Sequence, residues 1–163
     1  MVGGGGAGEL FWDGVGNPNC DGVILELSVS SGFTGGTTIN ADSMVQVGHS
    51  NALGTGKITM KGSDSGLILG DGITLTNRLV INDGNSRHIV LLDSGATTAE
   101  LTGNITLHTG GNEWALHFKP ASGQTLTVSG EIADGVSAGA LMQHGAGTTV
   151  LTGTRTHSGA LHA

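Results

Sequence analysis

GAGTTVLTGTRTHSG, residues Gly145–Gly159, and LELSVSSGFTGGTTIN, residues Leu25–Asn40, share one phrase. Leu151-Thr152 aligns with Leu27-Ser28, His157-Ser158 with Phe33-Thr34, and Gly159 with Gly35. Each copy alternates apolar with small polar residues and then breaks on a Gly/Thr/Ser turn, which describes one edge of a coil. A phrase that returns in this form predicts a solenoid, because each unit buries its apolar face only against the next.

The rest of the chain agrees in pattern. Short β-type bursts recur from Val23 onward: VILELSV, TTIN, MVQV, KITM, LIL, ITL, LVI, HIVLL, NITLH, LTVS and TVLT. Strict alternation at Thr74-Leu75-Thr76, Asn104–Leu107 and Thr125–Val128 predicts strands with one buried face. No helical period appears, and His49–Leu53 forms at most a single turn. Between bursts stand Asp64-Ser65-Gly66, Asp71-Gly72, Asp83-Gly84, Asp93-Ser94-Gly95, Asn112 after Gly110-Gly111, and Asp134-Gly135. Such residues tolerate left-handed backbone and close local side-chain hydrogen bonds, as tight corners need.

Thirty-one glycines in 163 residues would suit a disordered linker, but 37% of the residues are apolar and only 12% are charged. That balance favours burial over charge repulsion. Aromatics make up 3% of the chain. An antiparallel sandwich core normally uses them, whereas Val, Ile and Leu fill the narrow interior of a parallel β-helix. Few hairpin turns and many small-residue corners point the same way. The expected fold is therefore all-β, a single-stranded parallel β-helix over residues 23–163. Coils of about 20 residues give six to seven turns and a rod on the order of 30 Å long. Residues 1–22 read as a flexible Gly-rich lead, with Leu10, Phe11 and Trp12 as an aromatic cap over the first coil.

Several function classes are disfavoured. The net charge is −7, and Lys57, Lys61, Arg78, Arg87, Lys119 and Arg155 are dispersed, so nucleic acid is not an expected partner. No apolar run reaches the ~18 residues of a membrane span. Met1-Val2 leads directly into a glycine run without the pattern of a secretory signal. Cys20 is alone, which rules out an internal disulfide and suits a small semi-buried residue.

Asp64, Asp71, Asp83 and Asp93 are the carboxylates a β-helix hydrolase would need, yet each sits in a turn phrase where corner capping accounts for it. The seven histidines are His49, His88, His108, His117, His144, His157 and His162, and none shows H-E-x-x-H or close metal spacing. His108 and His117 are candidates to stack on neighbouring coils. Nucleophile elbows, phosphate loops and calcium repeats are missing from the sequence. No catalytic, cofactor or metal residue is therefore assigned, and the expectation is of a non-enzyme. One surface remains: Thr74/Thr76, Thr125/Thr127 and Thr152/Thr154/Thr156 form T-x-T phrases that, stacked in register, would present a flat array to glycan or ice.

The two phrases also resemble the passenger-associated repeat of bacterial autotransporters. Phe33-Thr34-Gly35-Gly36-Thr37-Thr38-Ile39-Asn40-Ala41, then Val45-Gln46-Val47-Gly48, then Ala52-Leu53-Gly54-Thr55-Gly56-Lys57-Ile58-Thr59-Met60 follow that family's pattern, and Gly145-Ala146-Gly147-Thr148 opens a second copy. Phe11-Trp12-Asp13-Gly14 is similar to a phrase found between blocks in such proteins. The resemblance implies a right-handed β-helix carried at the bacterial cell surface or outside the cell, as a stalk within a larger passenger. His157, Ala160 and Leu161-His162-Ala163 depart from the pattern and imply an incomplete last coil. The functional expectation is a structural stalk, with end-to-end self-association as its related form. An adhesin-like glycan- or ice-binding module is the alternative.

Overall fold

A computed structural model describes residues 10–12, 23–82, 87–107 and 116–163. Among them run seventeen strands and no helix. In chain order these are β1 (Leu10–Trp12), β2 (Val23–Leu27), β3 (Thr37–Ile39), β4 (Ser43–Val47), β5 (Ile58–Met60), β6 (Ser65–Leu69), β7 (Ile73–Leu75), β8 (Leu79–Ile81) and β9 (His88–Leu92). They continue as β10 (Thr98–Leu101), β11 (Ile105–Leu107), β12 (Leu116–Phe118), β13 (Thr125–Val128), β14 (Ile132–Asp134), β15 (Leu141–Gln143), β16 (Thr148–Leu151) and β17 (Leu161–His162).

All pairings are parallel and build three sheets, ordered β1-β3-β5-β8-β11-β14, β2-β4-β6-β9-β12-β15-β17 and β7-β10-β13-β16. The chain visits the six-, seven- and four-stranded sheets in rotation, so the protein is a parallel β-solenoid. Seven strands in the longest sheet make six coil-to-coil steps. Among the described residues the third face has no strand in the first coils. Stacked irregular segments replace it, with Ser31 N–H donating to Asn51 O and Thr55 N–H to Phe33 O, and buried Phe33, Ala52 and Leu53 filling the corner. His49–Leu53 is a hydrogen-bonded turn, closed by Ala52 N–H to His49 O.

Coil length is not constant, in contrast to the expected 20 residues. Val23 pairs with Ser43, an offset of 20, whereas His88 pairs with Leu116, an offset of 28. Strands keep their register because their inward residues must stack; extra residues are absorbed at corners, where nothing depends on length.

Inward positions form continuous columns. On the six-stranded sheet, Ile39, Met60, Ile81 and Leu107 succeed one another; on the four-stranded sheet, Leu75, Leu101, Val128 and Leu151 do so. Most of these side chains are wholly buried, and they belong to one core cluster. A polar column also runs inside: Ser43, Ser65 and His88 are each 0% exposed, and Ser65 Oγ lies 2.8 Å from His88 Nδ1.

The corner after the four-stranded sheet explains part of the glycine content. Thr76-Asn77, Thr102-Gly103, Ser129-Gly130 and Thr152-Gly153 stack one above another. A Cβ on Gly103 would lie 2.0 Å from Asn77 O, one on Gly130 2.1 Å from Gly103 O, and one on Gly153 2.1 Å from Gly130 O. Backbone occupies that space, so only glycine fits.

The two phrases that signalled the solenoid turn out to be out of phase. Leu27 ends a strand of the seven-stranded sheet, while Leu151 ends one of the four-stranded sheet. Both are coil edges, but they lie on different faces.

Candidate functional site

The corner aspartates bind their own fold. Asp71 Oδ1 accepts from Thr97 N–H (2.7 Å), Thr97 Oγ1 (2.9 Å) and Thr98 N–H (3.2 Å), one coil further on. Asp134 repeats the device: Oδ2 accepts from Ser158 N–H (2.8 Å) and Ser158 Oγ (2.6 Å), and Oδ1 from Gly139 N–H (3.0 Å). The bonds from Thr97 and Thr98 hold the Asp71 carboxyl below the usual carboxylate range. At Asp134 burial pushes the other way, but the bonds from Ser158 and Gly139 outweigh it, and the result is also lowered. Asp64 forms an ion pair with Arg87, and Asp93 caps Ser94 N–H at 2.8 Å. Asp64 takes a left-handed φ of 57°, and the strand begins at the very next residue, so Ser65 and Gly66 lie in β6 instead of in the expected turn.

The threonine phrases are partly brought together. On the outside of the four-stranded sheet, Thr98, Thr125 and Thr148 stand in register. The next row is Thr74, Glu100, Thr127 and Val150, so a carboxylate and a valine interrupt the hydroxyls. Glu100 Oε1 accepts from Ser129 Oγ at 2.5 Å. Thr76 and Thr152 lie beyond the strands at the glycine corner, and Thr154 and Thr156 belong to the next face, where Arg155 bridges Ile132. The array is thus one clean row of three.

The histidines divide into interior and exterior groups. His88 is interior. His117 points outward from the seven-stranded sheet yet is only 2% exposed. Its Nδ1 lies 3.3 Å from Nδ1 of exposed His144, with ring centroids 5.5 Å apart and planes tilted by 42°. Burial, then the neighbouring His144, Arg87 and Lys119 charges, push the His117 pKa down to about 4 against a raising influence from Asp64. His117 is therefore neutral near pH 7. Met142 pairs with His117 on one side and with His162 on the other. His49 caps Asn51 N–H at 3.0 Å. Sequence reasoning named His117 but matched it with His108. The actual partner lies 27 residues on, two beyond Met142, which is the strand partner of His117 at an offset of 25.

Two surface grooves flank these faces. One of about 590 Å³ runs between the coils bearing Ser94 and Lys119, and Gln124 closes it by bonding Asp93 O, Ala96 O and Ala121 N–H. The other, of about 360 Å³, is lined by Arg78, Thr106, Glu131 and Asp134. Cys20, Asp83, His108, Asn112, residues 1–9 and 13–22, and the side chains of Phe11 and Trp12 lie outside the described residues. Leu10 is described: it packs partly buried against the core, and β1 pairs with β3.

Among the described residues no group of three or more His, Cys, Asp or Glu is arranged to hold a metal ion, and no helix is long and apolar enough to cross a membrane. Comparison with protein-family models, curated proteins and solved structures finds no match.

Proposed function

We propose that this chain is a non-enzymatic structural segment, a stalk or spacer within an autotransporter-like polypeptide at the bacterial cell surface or outside the cell. The observation that carries the reading is where the polar groups go. Asp71, Asp134, Asn77 and Gln124 spend their hydrogen bonds on the backbone of adjacent coils, which stiffens a rod and leaves few convergent groups for a substrate. The resemblance of Phe33–Met60 to the passenger repeat supports the location. Fusing the chain between a secretion signal and an outer-membrane translocator barrel tests it. The expected result is folded, protease-resistant chain on the cell surface, and retention inside the cell rejects the reading.

Self-association end to end is the related form, and light scattering at rising concentration decides it: a strictly monomeric species removes it. The Thr98, Thr125 and Thr148 row favours a second reading, a surface that binds glycan or ice. Replacing Thr125 with lysine should abolish any thermal hysteresis or glycan retention, and a negative result for the unaltered chain in both assays ends this alternative.

A further inference from the structure

We propose that His117 and His144 form a two-imidazole chelate for a copper ion on the outer face of the seven-stranded sheet, beside the thioether of Met142. The strand ladder places both residues: His117 lies in β12, and His144 follows the last residue of β15. Leu116–Phe118 pairs in register with Leu141–Gln143, and His144 N–H continues the ladder by donating to Phe118 O at 2.9 Å. Groups mounted on paired strands hold their separation better than groups on loops. The two Nδ1 atoms face each other at 3.3 Å. With metal–nitrogen bonds of about 2.0 Å, that separation subtends about 110° at a shared ion, and closing it by about 0.5 Å gives the right angle that tetragonal Cu²⁺ prefers. The pair reaches the bite of a chelate by a small rotation of the exposed His144 ring.

Neutral imidazole is the ligating form, and a neutral pair can share only one proton between its facing nitrogens. Binding replaces that proton, which moves to the other nitrogen of the same ring. His144 is exposed, so its ring exchanges tautomers through water, and the copper keeps its oxidation state throughout. Copper is the divalent first-row ion that nitrogen sites prefer. Met142 occupies the row between His117 and His162. The charges around the pair set the affinity: Arg87 is matched by Asp64, whereas Lys119 opposes a cation. Two protein nitrogens completed by water make an exchangeable site, distinct from a structural metal centre.

The test is titration of the 163-residue chain with Cu²⁺, read by calorimetry and by electron paramagnetic resonance. One saturable equivalent with two nitrogens coupled to copper is expected. His144→Ala, at an exposed position, should keep the wild-type thermal transition and weaken binding at least tenfold, while His49→Ala should leave it unchanged. Wild-type affinity in His144→Ala, an equal loss in His49→Ala, or no saturable binding overturns the assignment.

Discussion

Strands β10 and β16 occupy the same face of the stack, two steps apart, and fare differently. Leu101 of β10 is 3% exposed with a coil on either side, while Leu151 of β16, in the same column, is only half-buried and neighbouring Val150 is 38% exposed. Identical alternation thus yields a core residue in one place and a partly wet one in the other, because burial in a solenoid comes from neighbours rather than from the coil itself. The exposed end also changes chemistry. Leu107 is followed inward by Asp134, Phe118 by Gln143 and Leu126 by Thr149. Thr149 Oγ1 donates to Gln143 Oε1 at 2.6 Å, and Gln143 Nε2 donates to Gly145 O and Gly147 O. Three interior columns therefore turn polar where water reaches them; Gln143 and Thr149 bond each other, while Asp134 is bonded to Ser158 and Gly139.

The sharpest way to break this comparison is to truncate the same column at both sites. Leu101→Ala should cost about 3 kcal/mol, because neighbours on both sides hold the cavity open. Leu151→Ala should cost under about 1 kcal/mol, since water already reaches that side chain. Urea unfolding of the two variants measures the difference, and equal losses would mean that the last coil is as tightly packed as the middle. The glycine corner offers a second contrast. Gly130→Ala, enclosed by Gly103 below and Gly153 above, should lose about 2–3 kcal/mol through backbone overlap. Gly153→Ala meets the same carbonyl geometry, but among the described residues no strand of the four-stranded sheet packs beyond its coil, which can shift, so roughly half that loss is expected.

That corner also shows what was legible in the sequence. Alternation revealed the strands and small residues revealed the corners, which sufficed for a parallel all-β solenoid. Phase was harder to see. The coil-to-coil repeat is an apolar residue, a Thr or Ser, and then Gly or Asn: Leu75-Thr76-Asn77, Leu101-Thr102-Gly103, Val128-Ser129-Gly130 and Leu151-Thr152-Gly153. Its spacing varies because corners absorb insertions, so a longer but out-of-phase match at Leu25–Asn40 stood out instead. The corner role of the aspartates could be read from their turn phrases, although their acceptor geometry spans about 25 residues and depends on a register that only the stack defines. The His117–His144 contact was hidden for the same reason: nothing local joins two residues on separate coils.

The polar inward residues of the last coil suggest a smaller perturbation. Replacing Gln143 with Leu and Thr149 with Val removes a bonded pair and leaves an apolar surface beside Leu151 and the 60% exposed Leu161. Stacking of one copy on another should then rise by several-fold at a given concentration, measured by sedimentation velocity. An unchanged monomer fraction would show that these polar groups do not limit association at this end.

The finest test uses acid on the two aspartate staples. Asp71 and Asp134 both have folded pKa values below their ordinary 3.8. Each carboxylate therefore contributes stability that is fully present above about pH 4 and is lost as pH falls below 3.8 through the folded value. The consequences should differ by location. Thr97 sits between coils that are paired on both sides, whereas Ser158 belongs to the last coil and is held by Asp134 through both its amide and its hydroxyl. Amide exchange followed from pH 5 down to about pH 2 should show Ser158 losing protection first, while strand amides of β10 and β13 keep theirs longer. If the amides of Ser158 and β10 lose protection in parallel, the coils unfold as one unit and the end is not independently weak. If neither changes, the carboxylate bonds contribute nothing to holding successive coils together.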